Sequence, residues 1–494
     1  MNLLLAGPVV LPLLGAALCI GAGRSRNAQR VIAVLTLTAV AVLSAVLLLR
    51  VDDEGTVAVQ VGGWEAPVGI TLVADRLAAI MLVLAVLMLL AVLVYAIGQP
   101  GAEEDHVGFH PVYLVLAAGV ALAFLTGDLF NLFVAFEVLL MASYVLLTLG
   151  GRADQVRSGM TYVVISLLAS ALFLAALAFV YAATGTLNLA DLSEKVAALP
   201  TGVRTGLALL LIVVFGIKSA IFPLFFWLPD SYPTAPSPVT AVFAGLLTKV
   251  GVYALLRSQT LLFPPDTRPG TLLLVVAALT MVVGVLGAVT QDDIKRILSF
   301  HIVSQIGYMV MGLGLFTVAG LAGAVIYIIH HIVVKTTLFL VAGLVEQRTG
   351  TGKLAELTGL RRLEPVLAVL FLLPALSLAG IPPFSGFVAK LALVEAGMGA
   401  EAYVVVAVSL AVSLLTLFSM SKIWSNTFWG PGPGTDSGRT LTAPRRALMV
   451  GSTGGLVALS LAIAVAAGPL YALSERAAAD LMDTRGYVEE VLGR

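Results

Sequence analysis

Apolar stretches of about 20 residues, the length a bilayer needs, follow one another along almost the whole chain. They fall near 3–22, 31–49, 72–97, 111–127, 129–149, 158–183, 205–227, 238–257, 271–290, 297–317, 319–345, 366–396, 402–424 and 447–472. Long unbroken apolar runs predict helices, whereas a membrane β-barrel shows apolar–polar alternation in short segments. The pattern therefore predicts an all-α polytopic membrane protein with about 14 transmembrane helices. Two pieces fall outside it. The segment LNLADLSEKVAAL at 187–199 reads as a short amphipathic helix lying on the outer surface. The tail 474–494 is polar enough to lie in water or against a partner.

An even number of spans puts both termini on one side. Arg24, Arg26, Arg30, Arg152, Arg157, Lys295, Arg296, Arg348, Lys353, Arg361, Arg362, Arg439, Arg445 and Arg446 all fall in loops on the other side. Excess Lys and Arg marks the cytoplasm, so the termini are expected outside. The acidic loop Glu103, Glu104, Asp105 on the cytoplasmic side runs against the trend, but acidic residues weigh little in the rule.

Prolines interrupt two spans, the seventh at Pro223 and the twelfth at GIPPFSG, 380–386. A proline removes a backbone donor and clashes with the preceding turn. Each broken helix is the fourth of a five-helix block, and each carries a lysine, Lys218 or Lys390. Matching broken helices in two halves point to an ion site. The expected organisation is N-terminal helices (1–110), a first five-helix repeat (111–258), a second (259–427), and a linker, last helix and outer tail (428–494). Blocks with an odd number of spans are inverted when they follow one another.

Composition agrees. Of 494 residues, 60% are hydrophobic and 11% charged, with a mean hydropathy of +1.04; soluble domains carry about 25% charged residues. The formal net charge is zero, which suggests no nucleic-acid partner. A single cysteine, Cys19, excludes an intrachain disulfide and a cysteine-built metal site. The start MNLLLAGP lacks a basic region and is read as a retained first helix.

Few ionisable residues remain at membrane depth: Glu137 in span 5, Lys218 in span 7, Lys249 in span 8, His330, His331 and Lys335 in span 11, and Lys390 in span 12. A charge there costs about 2.5–3.5 kcal/mol on insertion scales. The deep cations are lysines, which can release a proton where arginine cannot. Burial and a nearby carboxylate act on a lysine in opposite directions, so moving the carboxylate switches its proton loading. Glu137 is the expected partner of Lys218. The structural alternatives are an ion pair that locks helix packing and, for the lysines, a snorkelling side chain. Snorkelling fits Lys249 poorly, because about ten apolar residues flank it on each side. His331 and Lys335, four apart, share a helix face, and His330 points elsewhere. Adjacent histidines without clustered carboxylates argue against a metal site, and no cofactor is expected.

The segments GDLFNLFVAFEVLLMASYVLL, IKSAIFPLFFWLPDSYPTAPSPVTAVFAGLLTKVGVYALLR, DDIKRILSFHIVSQIGYM, IHHIVVKTTLFLVAGLVE and LSLAGIPPFSGFVAK span the core from 111 to 396. They resemble the antiporter-like subunits shared by Mrp-type cation/proton antiporters and respiratory complex I. The stretches DLFN, TGTLNLADL and YVEEVLG resemble the Mrp-type Na+/H+ antiporter branch of that family, among its members without a long C-terminal extension. The resemblance implies that Glu137, Lys218, Lys249, His331, Lys335 and Lys390 form a proton path. It also implies other Mrp subunits as partners in a hetero-oligomeric complex of a bacterial plasma membrane, with proton inflow driving Na+ efflux. A proton-pumping subunit of complex I or of a membrane-bound hydrogenase is the alternative, and a non-conducting scaffold the second. Na+ wants several oxygen ligands; a core with one deep carboxylate is expected to leave its passage to another subunit or an interface.

Overall fold

The computed structural model describes residues 2–103, 108–149, 151, 153–430 and 441–494, so Glu104, Asp105, Arg152 and Arg439 lie outside the described residues. Twelve helices among the described residues are long and apolar enough to cross a membrane. The two other expected spans fall on the shorter apolar helix Phe109–Leu125 and on the half-helices Pro365–Ala379 and Ser385–Gly399. Ser237–Leu261 and Val318–Thr349 are wholly buried across their apolar windows, whereas Arg26–Glu54 is 28% buried. The first two are therefore core helices, shielded by the rest, and they carry Lys249, His331 and Lys335.

Both predicted breaks have one geometry. Thr201–Ser219 ends on Ala220 at φ 61, and Pro365–Ala379 on Gly380 at φ 87. Ile221 N–H donates to Gly216 O at 3.1 Å, and Ile381 N–H to Leu376 O at 3.1 Å. This is the Schellman closure, which satisfies the last free carbonyls. Pro223 and Pro383 follow at equivalent places and prevent the helix from resuming.

A second correspondence runs at a constant offset of 165 residues. Leu129–Thr148 and Ile294–Gly314 begin that far apart, and so do Ala153–Thr184 and Val318–Thr349, each 32 residues long. Asp128 caps its helix by accepting from Asn131 N–H at 2.8 Å, and Asp293 does so from Arg296 N–H at 3.0 Å. The turns Thr184-Gly-Thr and Thr349-Gly-Thr repeat the same bonds: Thr184 Oγ1 donates to Thr186 O at 3.1 Å, and Thr349 Oγ1 to Thr351 O at 2.9 Å. Each turn then pairs with its capping aspartate, Asp128 with Asn188 and Asp293 with Lys353.

Three features depart from the sequence pattern. The third span is expected from 72, but Thr71–Ala74 pairs as an antiparallel strand with Val57–Gln60. The helix begins only at Arg76, behind Asp75, which accepts from Ala78 N–H at 2.9 Å. The last span ends at Val465, and Ala467–Met482 is a separate helix. The tail lies against its own chain: Arg76 Nη1 pairs with Asp480 at 2.8 Å, Gln60 Nε2 donates to Val491 O at 3.0 Å, and Tyr487 packs on Arg257 at 5.1 Å. Asp480, Arg476 and Arg494 of the tail thus pair within the chain, with Arg76, Asp52 and Glu194. Glu103, in the acidic loop, is fully buried between Arg30 and His110, whose Nε2 lies 2.5 Å away.

Asp75 and Arg257 form a buried ion pair at 2.6 Å. Burial pushes the Asp75 carboxyl up, but the Arg257 charge and hydrogen bond and the Ala78 N–H outweigh it and hold the group below its usual range. Removing one partner of a buried pair strands the other, at about 3–5 kcal/mol. Arg257→Ala is therefore expected to lower the thermal midpoint and yield of the assembled complex. The double change Asp75→Asn, Arg257→Met should recover part of the loss.

Candidate functional site

Three helices meet at Glu137. It stands on Leu129–Thr148, Ser170 on Ala153–Thr184, and Lys218 in the last turn of Thr201–Ser219. Ser170 Oγ donates to Glu137 Oε1, and Lys218 Nζ donates to Ser170 Oγ at 3.2 Å. The sequence makes Glu137 the partner of Lys218, and in the structure a serine is bonded to both. At the break, the freed carbonyl of Ile217 accepts from Trp227 Nε1 at 3.1 Å. The Lys218 ammonium lies 5.6 Å from the Phe136 ring centre, a cation–π contact. Phe136, Tyr162, Ser166, Lys218 and Trp227 line a cavity of ≈ 20 Å³, room for about one water.

Lys249 is fully buried and donates to Ala244 O at 2.5 Å. That carbonyl lies in a widened turn, Phe243–Leu247, within the helix. Such π-bulges free backbone groups and gather at functional sites. Two residues on, a methyl at Gly251 would sit 2.6 Å from Ser219 N. The Lys249 helix and the Lys218 turn therefore touch through backbone. On the other flank, a methyl at Gly245 would strike Thr336 Oγ1, next to Lys335.

His331 and Lys335 are fully buried on Val318–Thr349. Among the described residues, neither ring nitrogen of His331 nor Lys335 Nζ has a hydrogen-bond partner. Buried polar groups are rarely left so and commonly bind water. His331 stacks with Tyr327 at 6.4 Å, Tyr327 with Tyr308 at 5.1 Å, and the Lys390 ammonium lies 5.2 Å from the Tyr308 ring. Lys390 also reaches back across the second break to donate to Ala379 O at 3.0 Å. At Gly380 a methyl would come 2.8 Å from its Cδ, so the lysine lies along the cap.

The structure thus arranges the six predicted residues on helices that touch in sequence from Glu137 to Lys390. His330 leaves its helix in a different direction from His331: its ring meets Tyr327 edge-on at 5.8 Å, and its Nδ1 lies 2.9 Å from Ser385 Oγ, at the start of the helix that carries Lys390. Asp128 serves as a helix cap, and burial raises its carboxyl above the usual range despite hydrogen bonds from the Asn131 and Phe130 backbone. His301 lies 2.6 Å from Ser419 Oγ. Ser170 and Tyr327 escape the sequence reading. Serines and tyrosines in spans usually only pack helices, and neither stands out by charge. The signal that finds Ser170 is its offset of 165 from Lys335.

Residues 126–416 match the family described as NADH:quinone oxidoreductase/Mrp antiporter, TM. The chain is 46% identical over 496 residues to the D subunit of the Na(+)/H(+) antiporter of Alkalihalophilus pseudofirmus, with 100% of both chains covered. The chain belongs to the Mrp antiporter and NADH:quinone oxidoreductase membrane family, among its D-type Mrp subunits. Its fold superposes on a chain of the Mrp complex from Dietzia sp. with a TM-score of 0.93, at 35% identity and 100% coverage of both. A chain of respiratory complex I from Thermus thermophilus gives 0.75 at 25% identity, covering 95% of this chain and 99% of that one. Members of this branch are transporter subunits rather than enzymes, and the buried row occupies the matched region.

Proposed function

We propose that this chain is the proton-translocating membrane subunit of a multisubunit Na+/H+ antiporter. Protons pass along Glu137, Lys218, Lys249, His331, Lys335 and Lys390, with Glu137 tuning Lys218. The observation that carries this reading is a set of lysines buried on contacting helices, of which Lys335 has no hydrogen-bond partner among the described residues. A structural lysine is expected to be paired. An amine that must gain and lose a proton gains from weak, exchangeable partners such as water.

The same reading gives the chain other Mrp subunits as partners and a bacterial plasma membrane as its place, with both termini outside. It takes 111–258 and 259–427 as inverted repeats, supported by the matched breaks and the 165-residue register. Na+ crosses elsewhere in the complex, because the row offers one carboxylate among cations.

The test is Na+-driven proton movement in vesicles that contain the whole complex. Glu137→Gln keeps the shape and removes the charge. The expected result is antiport near background with the complex assembled. Wild-type antiport in an assembled Glu137→Gln complex overturns the relay.

A further inference from the structure

Ser170 is more than a spacer. In the 165-residue register, Ser166 and Ser170 occupy the positions that His331 and Lys335 hold in the second half. Both pairs are four apart, so each occupies one helix face. The first half thus presents two hydroxyls where the second presents two titratable bases. A hydroxyl carries no charge at membrane depth, yet it donates and accepts at once. Ser170 uses both capacities: it accepts from Lys218 and donates to Glu137. Among the described residues no direct Glu137–Lys218 ion pair is present, and Ser170 is bonded to both.

Building on the proton-path reading above, we infer that Ser170 is the hydroxyl bridge through which Lys218 and Glu137 exchange a proton. The ammonium of Lys218 passes its proton to Ser170 Oγ as the Ser170 hydroxyl proton moves to the Glu137 carboxylate. The products are a neutral amine, an unchanged serine and a carboxylic acid. The reverse transfer reloads the lysine. Ser170 ends each cycle as it began, a positioning group rather than a store of protons. A serine suits this place because Lys218 and Glu137 already supply the two titrating groups. A second lysine here, as at Lys335, would add a buried charge beside Lys218.

The experiment compares Ser170→Ala and Ser170→Thr in the assembled complex, with Na+/H+ exchange followed across pH. Alanine removes the bridge without adding bulk; threonine keeps the hydroxyl. Losing a hydrogen bond to charged groups is expected to slow exchange by about tenfold or more. The pH profile should move as the lysine and carboxylate uncouple. Threonine is expected to restore both the rate, within about twofold, and the profile, since it retains the donor and acceptor. Wild-type exchange and profile in Ser170→Ala, while Glu137→Gln is inactive, overturn the bridge and leave the path intact. Equal loss in Ala and Thr with normal assembly also overturns it. If Glu137→Gln keeps full exchange, the path itself fails, and the bridge with it.

Discussion

Lys218→Met is expected to abolish antiport, and Lys218→Arg is expected not to restore it. The first change removes the only cation bonded to Ser170 among the described residues. With no base at the end of the bridge, Glu137 has nothing to exchange with. A loss of at least about a hundredfold follows, which corresponds to ~2.7 kcal/mol on the barrier. The arginine variant separates charge from titration. Its guanidinium restores a positive group opposite Glu137 but keeps its proton. A structural ion pair would accept arginine and recover activity. A proton relay would not. Exchange rates in vesicles, with the amount of assembled complex measured in parallel, decide between them. Antiport near the wild-type rate in Lys218→Arg would show that the position needs only charge.

Lys335→Met should uncouple function from stability. Lys335 is fully buried and lacks a hydrogen-bond partner among the described residues. Holding such an amine at membrane depth is costly in either state: the charge by about 2.5–3.5 kcal/mol on insertion scales, the neutral amine through its unsatisfied polar group. Methionine is close in length and carries no such cost. The complex is therefore expected to keep or raise its thermal midpoint while antiport falls to background. A lysine retained only for packing would give the opposite result, a lower midpoint and intact exchange. Midpoint and exchange rate from one preparation check both.

Much of this fold is legible in the sequence because a bilayer imposes one length and one composition on every crossing. Helix existence, the two breaks and the deep lysines all follow from that. The Schellman closures at Ala220 and Gly380 form where the prolines predict an interruption. What escapes is set by packing across helices. Ser170 matters only because three helices bring Glu137 and Lys218 to it. The π-turn that offers Ala244 O to Lys249 has no proline to announce it. The strand Thr71–Ala74 looks like the start of a span, because a short apolar run reads the same in either conformation. The tail reads as lying in water or against a partner because the residues it pairs with, Asp52, Arg76 and Glu194, lie hundreds of residues upstream.

That last feature bears on how the protein is made. Ala58 N–H donates to Glu490 Oε1 at 3.2 Å, and Arg494 pairs with Glu194 at 2.9 Å. The hairpin that follows the second helix thus finds its partner 432 residues further along the chain. Chains grow N-terminus first at about 5–20 residues per second, so roughly 20–90 s of synthesis separate the two faces. Over that interval the hairpin edge stands open, and the side of Arg257 that Tyr487 covers stays open for a shorter one, roughly 10–50 s. Residues 485–494 close them, so this end of the helix bundle is sealed only after 432 further residues have followed the hairpin edge.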